Sequence, residues 1–401
     1  MNKPELLSPA GDLAALKTAA RFGADAVYVG GPVLQLRAAS AAFDEEALAE
    51  GAAYLHAQGK KLYVTVNSFA KNAEIDALGP YARRLHALGA DAAIVSDLGA
   101  IAAMREACPE LEIHVSTQAN CLNYRAASVY ASMGATRVVA AREMSLDEIA
   151  ELHSRLPGLE IEAFVHGAMC MAYSGRCLLS SFLTGGRSGN RGDCAQPCRW
   201  QYHLVEQKRP GEFFALEQSE RGLAILSSGD LCCLPILDRM AAAGICSFKI
   251  EGRMKSPFYV GTVTNAYRMR LDDAAPLEAL ERELVSVSHR PYGTGFYLGA
   301  PEPREPDDGA YIRDSNYVAV LLAPARDGEA LVEQRNLFTV GDRVEVVRPG
   351  RLGDAFTVAA IRTPEGEPRT RANHPKERLI IRCPLALEAG DMLRVREPQN
   401  P

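Results

Sequence analysis

Gly23-Ala24-Asp25-Ala26-Val27-Tyr28-Val29 returns almost unchanged as Gly89-Ala90-Asp91-Ala92-Ala93-Ile94-Val95. In each copy a glycine ends an amphipathic helix and the chain turns into a short apolar strand. This is the junction of a repeating βα unit. Six more strand-like segments lie on either side: Leu6–Pro9, Leu62–Val66, Ile113–Ser116, Val138–Ala141, Ile161–Val165 and Phe248–Ile250. All are short, apolar and rich in β-branched residues, as strands buried on both faces are. Amphipathic segments such as Asp12–Ala20 and Asp147–Leu152 fill the gaps. Eight such units predict an α/β fold, a (β/α)8 TIM-like barrel over residues 1–300. A doubly wound open sheet is the alternative, and it would want a G-x-G-x-x-G after the first strand, which is absent.

In a barrel, chemistry sits at the C-terminal ends of the strands. Those ends carry Asn67, Gln118, Arg142, His166, Glu251 and Arg253, with Lys255 just beyond. Alternation along the last strand puts Lys249, Glu251 and Arg253 on one side. His166, Glu251 and Arg253 are the catalytic candidates. Asn67, Gln118, Arg142, Lys255 and Arg191 are the substrate-binding ones. Two helices are expected at 259–271 and 277–287. Residues 301–310, rich in Pro, Glu and Asp, read as a linker. From residue 311 to 401 short alternating strands predict a small all-β domain, a barrel or sandwich.

The stretch after the seventh strand is different in kind. His166-Gly-Ala-Met-Cys170 leads into a run with Cys177, Cys194 and Cys198, and Cys232 and Cys233 follow. Glycines at 175, 185, 186, 189 and 192 argue for a loop that wraps something closely. The Cys-rich segment, about 166–233, is an insertion at the barrel mouth. Structural zinc usually shows paired C-x2-4-C knuckles, and only Cys194 and Cys198 resemble one. Irregularly spaced thiols in glycine-rich loops suit an iron–sulfur centre better. A Cys–His pair from His166 and Cys170 is a further alternative. Cys108, Cys121, Cys246 and Cys383 stand alone and read as packing.

The chain is 47% hydrophobic, enough for a core that needs no disulfide staples. It shows no signal-peptide-like start and no run long enough for a membrane span, so a cytoplasmic protein with reduced thiols is expected. A net charge of −6 offers nucleic acid no global attraction. Locally, residues 176–209 hold six cations, Arg176, Arg187, Arg191, Arg199, Lys208 and Arg209, against two acids. An anion-binding role for that run is weighed against a solvated loop.

The phrases HGAMCMAYSGRCLLSSFLTGGRSGNRGDCAQPCRW, SFKIEGRMKSPFYV, SHRPYGTGFY and VEQRNLFTVGD resemble peptidase family U32, the collagenase-like proteins, over nearly the whole chain. The resemblance implies a 4Fe–4S cluster and oxygen-independent hydroxylation of RNA, with prephenate as the oxygen source. The branch that forms 5-hydroxyuridine at the tRNA wobble position is the most similar. By the same resemblance Cys170, Cys177 and Cys194 are cluster ligands, with Cys198 preferred as the fourth and Cys232 as its alternative. Some members are described as proteases, so a U32-type peptidase is the second reading. Against it, neither an H-E-x-x-H zinc motif nor a G-x-S-x-G elbow is present. The expected partners are tRNA and a small carboxylate donor.

Overall fold

The computed structural model describes residues 3–36, 43–170, 172–200, 229–299 and 311–396. The chain divides into two compact units, one of residues 1–20, 24–254 and 289–311, the other of 21–23, 255–288 and 312–401. Residues 255–288, which the sequence suggested as the tail of the barrel domain, thus belong with the second unit. The proposed linker at 301–310 lies outside the described residues.

The first unit is a closed barrel of eight parallel strands. In chain order they are β1 (Glu5–Pro9), β2 (Ala26–Gly30), β3 (Lys61–Val66), β4 (Ala92–Val95), β5 (Glu112–Val115), β6 (Arg137–Val139) and β7 (Glu160–Ala168). Next come a short β8 (Asp230–Cys232), the eighth barrel strand β9 (Ser247–Ile250), and a two-residue β10 (Tyr292–Gly293). Strands β1 to β7 pair in sequence order, and β9 closes the ring by pairing with both β7 and β1. The glycines of the repeated phrase do what their position requires. Gly23 and Gly89 have φ of 100° and 89°, which turns each helix end back into the sheet. Helix starts are capped by side chains. Asp97 Oδ1 accepts from the Ala100 amide at 2.9 Å, so this strand-end residue is used to start a helix.

The barrel interior is mixed. Leu7, Ala26, Tyr28, Tyr63, Ala92 and Ile94 form one apolar cluster. Beside it runs a chain of buried charges. Lys249 donates to Glu162 at 2.7 Å, Glu162 lies 3.2 Å from Arg137, and Arg137 is 2.7 Å from Glu5. Burial alone would raise the Glu162 carboxyl, but Lys249 and Arg137 hold it below its ordinary value.

The second unit is an antiparallel sheet. Its strand order is 355–357, 343–347, 392–396, 315–321, 329–334, 378–382, 361–362 and 368–369, with a separate pair, 338–339 with 371–372. Among the described residues no pairing joins the two ends, so the all-β domain is present as an open ladder. Val318, Val332, Phe338, Val344, Leu379, Ile381 and Leu393 fill its core. Helix Pro257–Leu271 belongs to this unit and is buried nearly all round, which explains its lack of a polar face. Asn265 of that helix donates to the Arg348 carbonyl at 3.2 Å and accepts from the Gly350 amide at 2.8 Å. The helix after it spans Leu277–Leu284. No helix among the described residues is long and apolar enough to cross a membrane.

Candidate active site

The C-terminal ends of the barrel strands meet a strap formed by the segment after β2. Ser68 donates its amide to the Leu34 carbonyl at 2.8 Å. Asn67 Oδ1 accepts from the Leu36 amide at 3.3 Å, and its Nδ2 reaches Ser116 Oγ at 3.5 Å. Arg253 is buried, donating from Nη1 to Thr65 Oγ1 at 2.7 Å and from Nη2 to the Leu36 carbonyl. A Cβ on Gly30 would lie 1.8 Å from Gln35 Oε1 and 2.7 Å from Arg253 Nη1, so only glycine admits this packing. Asn67 and Arg253, expected to meet substrate, therefore hold the strap in place. Lys249 does not join them, because its ammonium turns into the barrel to Glu162. Glu251 Oε2 accepts instead from Tyr28 Oη at 3.2 Å.

The cysteine segment leaves the end of β7 and is tied down at several points. Arg142 Nη1 donates to the Ala168 carbonyl at 2.6 Å, and its guanidinium lies 3.8 Å from the centre of the Phe164 ring. Glu143 Oε1 accepts from the Ser174 amide at 2.9 Å. Gly175, at φ 71°, presses on the Gln118 carbonyl, which a Cβ would approach to 2.2 Å. Arg191 grips Glu74 with two bonds of 2.9 Å and donates to the Phe69 carbonyl at 2.6 Å. Arg187 pairs with Asp193 at 2.9 Å, and Arg199 donates to Tyr311 Oη at 2.9 Å. Three of the four described cations in this run thus hold the segment together, which is the solvated-loop side of the expectation. Lys208 and Arg209 lie outside the described residues.

Cys170 and Cys194 are exposed and Cys177 and Cys198 half-buried, while Cys232 and Cys233 are buried. Burial pushes the Cys198 thiol up. Arg199 opposes this, and the charges of Cys170, Cys194 and Cys177 raise it further. Three thiols that reach Cys198 in this way lie in its neighbourhood. Cys232 lies beside Cys233, whose thiol is raised well above its ordinary value by burial and then by Cys232. Among the described residues no three ligand side chains are drawn together tightly enough to bind a single ion. A cluster has its sulfurs spread around several irons, so the two observations are compatible. The Gln196 amide donates to Cys194 Sγ at 3.3 Å, from a residue held at φ 57°.

A second element of the site was not singled out from sequence. β8 runs antiparallel to the end of β7, with Cys232 opposite His166 and Asp230 opposite Ala168. β10 then pairs with β8. Arg290 is buried against Asp230 at 2.8 Å, joining the segment that carries β10 to β8. This places the ring of Tyr292 in a stack on His289, with centroids 4.1 Å apart and planes 7° from parallel. The Tyr292 hydroxyl lies 3.5 Å from His166 Nε2. Around the mouth, Asn120 Nδ2, Arg142 Nε and Glu143 Oε2 are buried without a hydrogen-bond partner among the described residues. They follow the adjacent strands β5 and β6. Lys255 belongs to the second unit, where it donates to the Ser288 carbonyl at 3.1 Å.

A family model described as peptidase family U32 matches residues 11–307, and one described as the peptidase family U32 C-terminal domain matches residues 313–394. The chain is 36% identical to tRNA hydroxylation protein P of Escherichia coli, over 99% of this chain and 97% of that protein. It is 38% identical to tRNA hydroxylation protein P1 of Bacillus subtilis, over 98% and 94%. A 23S rRNA 5-hydroxycytidine synthase of Escherichia coli is 39% identical over 67% of this chain and 39% of its own length.

Proposed function

The chain belongs to peptidase family U32, and on that premise we propose that it is an RNA hydroxylase whose substrate is tRNA. The product is 5-hydroxyuridine at the wobble position. The oxygen comes from a small carboxylate, prephenate, rather than from O2, and a 4Fe–4S cluster sits on Cys170, Cys177, Cys194 and Cys198. Two relatives matched along almost their whole length are named for tRNA hydroxylation, and a third for hydroxylation of an rRNA base. The observation that carries the reading is that three thiols, Cys170, Cys194 and Cys177, lie near enough to Cys198 to raise it. Four thiols, with a backbone amide directed at one sulfur, are a donor set that fits such a cluster.

When bound, the cluster would supply redox chemistry and a point of attachment for the donor. The remaining work falls to this chain's own groups. Arg142 Nε and Asn120 Nδ2 are donors suited to a carboxylate, because a buried donor without a partner gains most from a ligand that accepts its bond. His166 Nε2, held beside the Tyr292 hydroxyl, is a group able to take the proton that C5 of the base gives up. A peptidase would need an activated nucleophile. Cys121 and Cys246 are instead pushed up to about 11 by burial, the direction that disarms a thiol.

Nucleoside mass spectrometry of tRNA from a gene-deleted strain tests the proposal. Loss of 5-hydroxyuridine, restored by the intact gene and not by Cys198→Ser, is the expected result. An unchanged nucleoside profile after deletion overturns it.

A further inference from the structure

Among the described residues four aromatic rings are exposed, Tyr173, Phe182, Trp200 and Tyr311, and all four belong to the cysteine segment or are bonded to it. Phe182 stands on the short helix Leu179–Leu183 with 81% of its surface in water. That helix packs against the turn Pro197–Arg199, and the Ala195 amide, just before the turn, donates to Ser180 Oγ at 3.0 Å. Trp200 closes the turn, its amide 3.0 Å from the Pro197 carbonyl. Arg199 Nη1 then reaches Tyr311 Oη at 2.9 Å. Phe182, Trp200 and Tyr311 thus come from separate parts of the chain to one part of the surface. Tyr173 lies in the loop between Cys170 and Cys177, where its carbonyl accepts from the Arg176 amide at 3.0 Å. The charge among these rings is positive. Residues 172–200 carry four arginines against one acid, Asp193, in a chain whose net charge is −6. Arg187 and Arg191 are neutralised by Asp193 and Glu74. Arg176 is exposed with no described carboxylate beside it, and the partners of the Arg199 guanidinium, Gln196 Oε1 and Tyr311 Oη, are neutral.

We propose that these rings and the two arginines form a stacking platform for unpaired RNA, which holds the nucleotides on either side of the base that reacts. Exposed apolar surface gathered in one place and rimmed by charge marks a contact site. An apolar partner would cover the rings but leave Arg176 and Arg199 desolvated without compensation. Unpaired RNA answers both features. Its bases stack on the rings, and its phosphates accept from the arginines in a planar fork. A duplex offers the phosphates alone, because its bases stay stacked on one another. Position agrees with this occupant. The segment leaves the end of β7 at the barrel mouth, and a base drawn out of its stack for chemistry leaves its neighbours unpaired beside that mouth. The choice of RNA rests on the hydroxylase reading above. The platform adds to it a grip on the strand made by groups that take no part in the reaction.

The test uses the full chain with an unmodified tRNA transcript, oligouridine about ten nucleotides long, and an RNA duplex of the same length. Anisotropy of the labelled RNA reads binding. Trp200 is the single tryptophan of the chain, so its emission reports contact at the platform itself. Phe182→Ala and Arg176→Gln are compared with the parent, with melting curves and bound iron as controls. Both side chains are exposed, so both variants fold. Oligouridine should bind more tightly than the duplex and change the Trp200 emission. Phe182→Ala should bind oligouridine and tRNA about tenfold more weakly, the size of one lost stack. Arg176→Gln should shrink the slope of log affinity for oligouridine against log salt by about 0.7. A duplex bound as tightly as oligouridine overturns the platform. Parent-like affinity and slope in both variants, in a parent that does bind tRNA, also overturn it and leave the hydroxylase reading intact. If the parent neither binds nor modifies tRNA, the hydroxylase reading falls and oligouridine decides the platform. Oligouridine binding that Phe182→Ala weakens upholds it, and absence of that binding overturns it. Self-association of the parent that Phe182→Ala abolishes, with RNA affinity unchanged, overturns it in favour of a second copy of the chain.

Discussion

Arg191 holds Glu74 through two parallel bonds, each 2.9 Å, and so ties the cysteine segment to the short helix that follows β3. Arg191, and after it the Lys71 backbone amide, pull the Glu74 carboxyl down to about 2 from its ordinary 4.5. A depressed folded-state value means that the pair's contribution is complete above about 4.5 and is lost as the pH falls toward 2. Both side chains are about one-third exposed, so the effect on global stability is small and the local one is what counts. Amides 186–192 should exchange faster in Glu74→Gln than in the parent at neutral pH. The two proteins should converge on acidification through that window. Equal exchange at neutral pH would remove the tether from the account.

The influence of Cys170, Cys177 and Cys194 on Cys198 agrees with the sequence preference for Cys198 over Cys232, and two variants test it. After anaerobic reconstitution, Cys198→Ser should lose most bound iron and the broad visible absorbance. Cys232→Ser should keep both, because its thiol lies on the ladder with β7 beside Cys233. The opposite pattern would make Cys232 the fourth ligand.

Glu162 is fully buried between Lys249 and Arg137. Glu162→Gln removes the acid and leaves two cations inside the barrel. Breaking a buried pair from one side costs about 3–5 kcal/mol, so the melting temperature should fall steeply. A variant as stable as its parent would mean that water already reaches these charges.

The stack of Tyr292 on His289 and its hydroxyl near His166 Nε2 can be taken apart. Tyr292→Phe keeps the ring and loses the hydroxyl. It should melt like the parent yet turn over tRNA more slowly, by up to about 10² if the hydroxyl assists proton transfer. Tyr292→Leu should lose activity and also melt earlier. Full activity in Tyr292→Phe would reduce the tyrosine to packing.

The barrel was legible because each strand is an apolar run buried on both faces and most returns, though not the one into β5, are marked by glycine. All eight expected strands are present, within a residue or two at their ends except β7, which runs three residues further, to Ala168. What could not be read has a common physical reason. β8 and β10 are three and two residues long and are set by partners far along the chain, such as Asp230 with Arg290. Periodicity carries no sign of such pairs. Similarly, alternation placed Lys249, Glu251 and Arg253 on one side. It could not say that Lys249 would turn inward to Glu162 while Arg253 bound a loop carbonyl. Glycine spacing and cysteine count pointed to the Cys-rich segment. The orphaned polar atoms of Asn120, Arg142 and Glu143 emerge only when β5 and β6 lie side by side.

The cysteine segment departs at Ala168 and comes back at Asp230, and these two residues are partners on the same ladder. An excursion whose ends are clasped together asks nothing of the ring it leaves, for β7 and β9 are joined whether or not it is filled. Assembly can therefore proceed in two stages, a barrel first and its cargo afterwards. Protein made in iron-starved cells should be a folded barrel awaiting delivery, not a misfolded chain.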